Sequence, residues 1–252
     1  MYLFERVLDR ISRSAYRDNF ILKGGFLISS LTGIGERTTM DIDASVRGIS
    51  LKRERIERVF REIISIDAED GISFEYKGIR KIREGDVYEN HRILFNARYG
   101  KINNPMKMDI TTGDDIIPEA VKYDYPTIFD ENTIRIMAYN IETVIAEKYE
   151  TVIRRNVANT RTKDFYDLYT LLRLYRERIN DHILKEAVIR TAARRGSLKV
   201  LDRWEPLIEE TAEDETIKSL WTEYKREYPY ASEISFEEMI EAIREIGRIC
   251  SK

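Results

Sequence analysis

Two aspartates separated by one residue are the first candidates for chemistry in this sequence. Asp41 and Asp43 lie in residues 40–46, where apolar and polar residues alternate with period two. Alternate residues of a strand point to the same face, about 6.5–7 Å apart along the backbone, so the two carboxylates should project side by side. Paired carboxylates supply the hard oxygen ligands that Mg²⁺ favours. The pattern alone also fits a solvated strand face.

A glycine turn precedes this strand. Residues 20–22 predict a short strand that leads into Lys23, Gly24 and Gly25, and a short helix should follow from Phe26 to Leu31. Glycines let backbone amides approach an anion, and a helix N-terminus adds about half a positive charge. Taken alone, the glycines also fit a plain tight turn. The turn, helix and paired aspartates together favour a triphosphate site, with Lys23, Gly24 and Gly25 binding the nucleotide.

A third carboxylate is expected on a neighbouring strand. In residues 106–110 the apolar residues alternate, so Asp109 shares its face with Lys107. Asp109 fits either a third metal ligand or a base that accepts the proton of an attacking hydroxyl. Asp114 and Asp115 compete for this role but follow Gly113 in what the sequence predicts to be a loop. Three carboxylates could hold two ions about 3.5–4 Å apart for an in-line phosphoryl displacement.

The second half of the chain contributes a lysine and an aspartate. Lys148 falls inside an apolar helical stripe, so its side chain must either extend to water or meet an anion. Asp164 lies in the first turn of the next predicted helix, where the helix dipole favours an acid whatever the function. We expect Asp164 to position Lys148 or orient the acceptor, and Asp167 to be structural. Basic residues around these helices could contact acceptor phosphates or form a solvated rim: Arg154, Arg155, Arg161 and Lys163.

The predicted elements change in type along the chain. Helix, strand, helix and strand are followed by a small antiparallel group, which indicates an α/β (α+β) mixed-sheet domain over residues 1–125. Residues 118–126 are predicted as a linker, and a helix is predicted from Asn132 or Thr133 to Arg155. Residues 126–252 should then form a helical domain, with the active site between the two domains. Ser235 and Glu238 fit a capping box for the last helix.

The composition is that of a globular protein with a charged surface. Hydrophobic residues make up 42% and charged residues 35%, with a net charge of −3. Basic residues outnumber acidic ones from Glu147 to Arg203, and the reverse holds from Glu205 to Glu245. No stretch is long and apolar enough to span a bilayer. The single cysteine and charged N-terminus favour a cytoplasmic location.

The glycine turn and the paired aspartates closely resemble the opening motif of a known family. Residues 20–25 and 37–43 match the AbiEii/AbiGii toxin-type nucleotidyltransferases, of the polymerase-beta-like superfamily. The resemblance resumes at residues 146–148 and 163–169, and more weakly at 235–238. It implies transfer of a nucleoside monophosphate from a nucleoside triphosphate. It also places Lys148 at the position of the family's essential lysine, and Asp164 at the position of an aspartate late in the family's sequence.

The three carboxylates predict Mg²⁺ as cofactor, and the resemblance implies RNA or tRNA as acceptor and a cognate antitoxin as partner. One departure is Phe26, which stands where the family commonly has a small hydroxyl residue that helps hold the triphosphate. Ser29 and Ser30 could substitute only with a different arrangement of the loop. Two other hypotheses remain open: a nucleotidyltransferase acting on a small molecule such as an antibiotic, and a nucleotide-binding regulator without transfer activity, which Phe26 favours.

Overall fold

The computed structural model describes residues 1–33, 39, 41–50, 52–82 and 90–251. Internal contacts divide the chain into two compact units. The sheet unit consists of residues 1–114 and 120–139, and the helical unit consists of residues 115–119 and 140–252.

Seven strands form one sheet in the described part of the sheet unit. They are β1 (Phe20–Lys23), β2 (Ile42–Val46), β3 (Ile72–Lys81), β4 (Asn90–Tyr99), β5 (Ile102–Thr111), β6 (Val121–Pro126) and β7 (Thr133–Ala138). Their order across the sheet is β3-β4-β5-β2-β1-β7-β6. The β2–β5 and β1–β7 neighbours are parallel and the other neighbours are antiparallel, which confirms the predicted mixed sheet.

Three helices cover this sheet: α1 (Tyr2–Arg13), α2 (Gly24–Thr32) and α3 (Arg53–Ile64). The apolar residues of α1 and α3 recur at helical spacing, so each of these two helices buries one stripe against the sheet. In α2 the consecutive residues 26–29 are all buried. Val7 and Ile11 of α1 are buried in this way, and Phe60 of α3 packs against Phe95 of β4 with ring centroids 5.1 Å apart.

The structure corrects the prediction for residues 118–138. The segment predicted as a linker contains β6, and the first six residues of the predicted helix form β7. Burial alternates along β7, with Ile134, Ile136 and Ala138 buried, which is the period of a strand. The helix begins only after Asn140, whose side chain accepts a hydrogen bond of 2.8 Å from the Thr143 amide.

The helical unit contains the remaining helices. They are α4 (Ile141–Arg155), α5 (Thr162–Tyr175), α6 (Asp181–Arg194), α7 (Leu198–Leu201), α8 (Trp204–Glu213), α9 (Glu215–Glu227) and α10 (Phe236–Ser251). The predicted capping box of α10 is confirmed. The Ser235 amide donates to Glu238 over 2.9 Å, and the Glu238 amide donates to the Ser235 hydroxyl over 3.1 Å. In the part of the chain that the structure describes, no helix is long and apolar enough to cross a membrane.

Candidate active site

The structure places two of the three predicted carboxylates on adjacent parallel strands and the third just before one of them. Asp43 of β2 lies directly beside Asp109 of β5 in the register, and Asp41 precedes β2 by one residue. Strand neighbours are separated by about 4.8 Å, so the Asp43 and Asp109 side chains leave the same face side by side. Ile42 and Met108, which alternate with them, are fully buried on the other face. Met40 and the Arg37-Thr38 part of the predicted motif lie outside the described residues.

Asp109 is held by an arginine that the sequence pattern did not reveal. Arg92 of β4 is directly opposite Asp109, and its guanidinium donates two hydrogen bonds, Nε to Oδ1 over 2.7 Å and Nη2 to Oδ2 over 2.6 Å. These hydrogen bonds raise the pKa of Arg92 above its usual value, and the negative charges of Asp41 and Asp43 add to the effect. The 17-residue separation of Arg92 and Asp109 becomes a contact only through the β4–β5 pairing.

Asp41 faces a lysine of the same sheet. Lys107 Nζ lies 2.8 Å from Asp41 Oδ1. The contact lacks hydrogen-bond geometry, and Oδ1 is buried without a hydrogen-bond donor among the described residues. The sequence predicted that Lys107 shares a face with Asp109, but it did not predict the contact between Lys107 and Asp41.

The glycine turn lies against Asp43. Gly24 has φ +68°, a conformation that side chains disfavour, and a Cβ at this position would lie 2.3 Å from Asp43 Oδ2. Helix α2 begins at this glycine. Lys23, which is paired with Asp43 in the register, bonds instead to Asp114 over 2.7 Å, and Asp114 also accepts from the Thr111 hydroxyl. The glycine turn and the carboxylates therefore form one contiguous surface, with Asp114 beside it.

Phe26 belongs to the core of the sheet unit. Its ring is fully buried and stacks on Tyr125, with centroids 5.3 Å apart and planes 4° apart. Ser29 is also buried, and the Ser30 hydroxyl donates to the Leu27 carbonyl over 2.7 Å and contacts the Tyr123 hydroxyl at 3.0 Å. The residue at the family's usual hydroxyl position thus serves packing in this chain.

In the helical unit, Lys148 meets two carboxylates. It forms ion pairs with Asp164 and, over 2.9 Å, with Asp167. The three side chains are 19%, 6% and 0% exposed, respectively. Asp164 Oδ2 is buried without a hydrogen-bond partner among the described residues. Asp167 belongs to this cluster, a contact that the sequence reasoning missed although positions i and i+3 of a helix share a face.

The four basic residues predicted to contact an acceptor lie at the end of α4 and the start of α5. Arg154 bonds to the buried Glu150 over 2.7 Å. Lys163 Nζ lies 5.4 Å from the centre of the Tyr228 ring. Arg155 is half-buried and Arg161 is exposed. Two of the four therefore have partners within the helical unit.

The donor chemistry of the sheet surface fits Mg²⁺. Among the described residues, no group of three or more His, Cys, Asp or Glu side chains is arranged around a metal position. The carboxylates nevertheless provide the oxygen donors that Mg²⁺ favours, and Asp41 Oδ1 is an acceptor without a hydrogen bond from any described residue. On this surface Asp109 contacts Arg92, and Asp41 contacts Lys107.

The mixed sheet and its helices have the fold of solved nucleotidyltransferase structures. One similar structure is described as "Crystal structure of putative nucleotidyltransferase from H. pylori"; it shares 16% identity, covers 99% of this chain and 93% of that chain, and has a TM-score of 0.51. A second, JHP933 from Helicobacter pylori, also shares 16% identity, covers 99% and 90%, and has a TM-score of 0.52. No curated protein sequence matches the chain.

The family follows from the sequence match. Residues 6–242 match the family described as Nucleotidyl transferase AbiEii toxin, Type IV TA system. The match covers nearly the whole chain, so the chain belongs to the AbiEii family and is a nucleotidyltransferase, as the motif resemblance predicted.

Proposed function

We propose that this protein transfers a nucleoside monophosphate from a nucleoside triphosphate to an RNA acceptor, with tRNA favoured, in a Mg²⁺-dependent reaction. In this proposal Asp41, Asp43 and Asp109 are the metal ligands. The observation that supports it is the direct pairing of Asp43 with Asp109 on parallel strands, with Gly24 against Asp43. Bound Mg²⁺ would neutralise charge on the reacting phosphoryl group.

The glycine turn is assigned to the triphosphate. A Cβ at residue 24 would collide with the Asp43 carboxylate, so glycine is what allows the backbone to lie this close to the metal ligands. The start of α2 adds the partial positive charge of a helix N-terminus, which favours a phosphate group. Lys23, Gly24 and Gly25 would thereby orient the triphosphate beside the carboxylates.

Lys148 is assigned to neutralising phosphate charge and Asp164 to positioning Lys148; the family resemblance supplies only the two positions, an essential lysine and a late aspartate. The ion pairs with Asp164 and Asp167 support the second assignment, because two carboxylates restrict the ammonium group to one place. Arg154, Arg155, Arg161 and Lys163 are assigned to the acceptor. The family match further supports a toxin with a cognate antitoxin as partner. A cytoplasmic location is part of the proposal.

Transfer of label tests the enzyme assignment. The full chain is incubated with Mg²⁺, RNA and each triphosphate labelled in its α-phosphate, and labelled RNA is the expected product. Asp41→Ala and Asp43→Asn should each lower the rate by on the order of a hundredfold or more, because a lost metal ligand removes several kcal/mol of transition-state stabilisation. Asp18→Asn, at an exposed position of the same unit, is the matched control and should keep full activity. Full activity in Asp41→Ala would refute the metal assignment.

The acceptor is tested in parallel reactions. Total RNA, purified tRNA and aminoglycoside antibiotics are offered separately, and only the tRNA-containing reactions should retain label. Label on an antibiotic alone would make the small-molecule hypothesis correct. Saturable triphosphate binding without transfer to any acceptor would instead support a regulator without activity.

A further inference from the structure

Two of the three carboxylates, Asp41 and Asp109, each contact a cation from the same sheet. Arg92 donates two parallel hydrogen bonds of 2.7 and 2.6 Å to Asp109. The Arg92 side chain is 24% exposed and the Asp109 side chain is 16% exposed. Lys107 lies 2.8 Å from Asp41, and these side chains are 37% and 41% exposed. The two contacts differ in geometry, because only that of Arg92 has the angles of hydrogen bonds.

The difference in geometry predicts a difference in role. A guanidinium with two hydrogen bonds fixes the plane of a carboxylate, as groups that orient metal ligands commonly do. A lysine ammonium is a point charge on a flexible stem, and a half-exposed ion pair of this kind is worth only about 0.2–1 kcal/mol. A divalent cation can therefore displace Lys107 from Asp41 at small cost, whereas Asp109 can keep Arg92 and still offer a lone pair.

We propose that Lys107 is an internal counter-ion that competes with the divalent metal for Asp41, and that Arg92 is a positioning residue that orients Asp109 toward it. This inference rests on the proposed metal site. Before metal binds, the two cations offset the repulsion between neighbouring carboxylates. When metal binds, Lys107 leaves Asp41 and Arg92 stays on Asp109.

The two roles predict opposite effects on metal affinity. Mn²⁺ alone is titrated into the full chain without nucleotide, and free Mn²⁺ is measured by electron paramagnetic resonance. Lys107→Met should bind Mn²⁺ about three- to tenfold more tightly than wild type, because it removes a competing charge about 4 Å or less from the ligand. Arg92→Met should bind at least about tenfold more weakly, which is the usual effect of losing a group that orients a ligand.

Two control variants define the baseline. Lys101→Met makes the same substitution at an exposed position of the β4–β5 turn and should leave Mn²⁺ affinity unchanged. Asp43→Asn should abolish binding and so identify the site being measured. Mg²⁺-dependent thermal stabilisation of each variant gives a second readout, and it should be larger for Lys107→Met than for wild type.

The outcomes separate this inference from the proposed function. If Lys107→Met binds Mn²⁺ no more tightly than Lys101→Met, the competition is refuted while the metal site stands. If Arg92→Met binds more tightly than wild type, Arg92 is a competitor and the positioning role is refuted. If wild type shows no saturable binding that Asp43→Asn removes, the proposed metal site is wrong and both roles fail with it.

Discussion

The two units hold their acidic residues in different ways. In the sheet unit, Asp41 and Asp109 are partly exposed and their cations come from neighbouring strands. In the helical unit, Asp164 and Asp167 lie one turn apart on a single helix and are buried against Lys148. Exposed carboxylates can exchange one cation for another, whereas buried ones require their partner. This difference predicts that Lys107 can leave Asp41 more readily than Lys148 can leave its two carboxylates.

Removing each lysine tests this contrast most directly. Lys148→Met should lower the free energy of unfolding by about 3–5 kcal/mol, because it leaves buried carboxylates without a cation that both contact. Lys107→Met, the same substitution at the half-exposed pair, should cost less than about 1 kcal/mol. Urea unfolding followed by tryptophan fluorescence reports on the helical unit, where Trp204 and Trp221 both lie. Circular dichroism serves for Lys107→Met. Equal costs for the two variants would remove the distinction.

A buried ion pair within the sheet unit tests whether burial, rather than the unit, determines the cost of losing an ion pair. Arg10 and Asp70 are 1% and 8% exposed, and their side chains form two hydrogen bonds of 2.8 and 2.9 Å. Asp70→Asn should therefore cost about 3 kcal/mol at pH 7, close to the cost at Lys148. A cost below about 1 kcal/mol would show that burial is not the deciding factor.

The same pair predicts a pH dependence. Burial raises the pKa of Asp70, but hydrogen bonds from Arg10 and from the Ile72 amide outweigh it and lower the pKa below its usual value. A depressed pKa in the folded state means that the ionised carboxylate stabilises the fold above the unfolded-state pKa of about 3.9. The advantage of wild type over Asp70→Asn should be complete above about pH 5 and decline as the pH falls through the folded-state pKa. Urea unfolding between pH 2.5 and 7 measures it, and a constant difference would contradict the assignment.

The glycine turn provides a further test, with a smaller expected cost than at the two buried ion pairs. Gly24→Ala should cost about 2 kcal/mol, since its φ is +68° and the new Cβ would collide with the Asp43 carboxylate. Gly100→Ala is the matched control, because its φ of +55° carries similar strain but a Cβ there meets nothing within 4 Å. Only Gly24→Ala should also impair nucleotide transfer. Thermal unfolding and the labelling assay measure the two effects, and equal activity in both variants would separate the turn from the site.

Local patterns predicted the elements that carry the site. Alternation of apolar residues around Asp43 and Asp109 was enough to assign both to strands and to one polar face each, and both predictions are confirmed. The same reasoning failed at residues 133–138, where a helix was predicted. The period-two pattern of Ile134, Ile136 and Ala138 is short, and it runs almost directly into the helix that begins at Ile141.

Contacts between distant segments could not be read from periodicity. Arg92 and Lys107 were not predicted as partners of Asp109 and Asp41, because their placement depends on the register between strands. Asp167 was assigned a structural role without a named partner, and the structure shows that it contacts Lys148 from another helix. Phe26 occupies the usual position of a hydroxyl residue, and only its stacking on Tyr125 shows that it serves the core.

The sequence by itself determined the family, the mixed α/β class and the segments that carry the acidic residues. These depend on residue type and on spacing within short segments. The tertiary structure decided which cation faces which carboxylate and how exposed each pair is. Those properties arise from strand register and helix packing, which bring residues together across long separations in the chain. The chemistry open to the carboxylates depends on these neighbours, since a charge responds to whatever lies within a few ångströms of it.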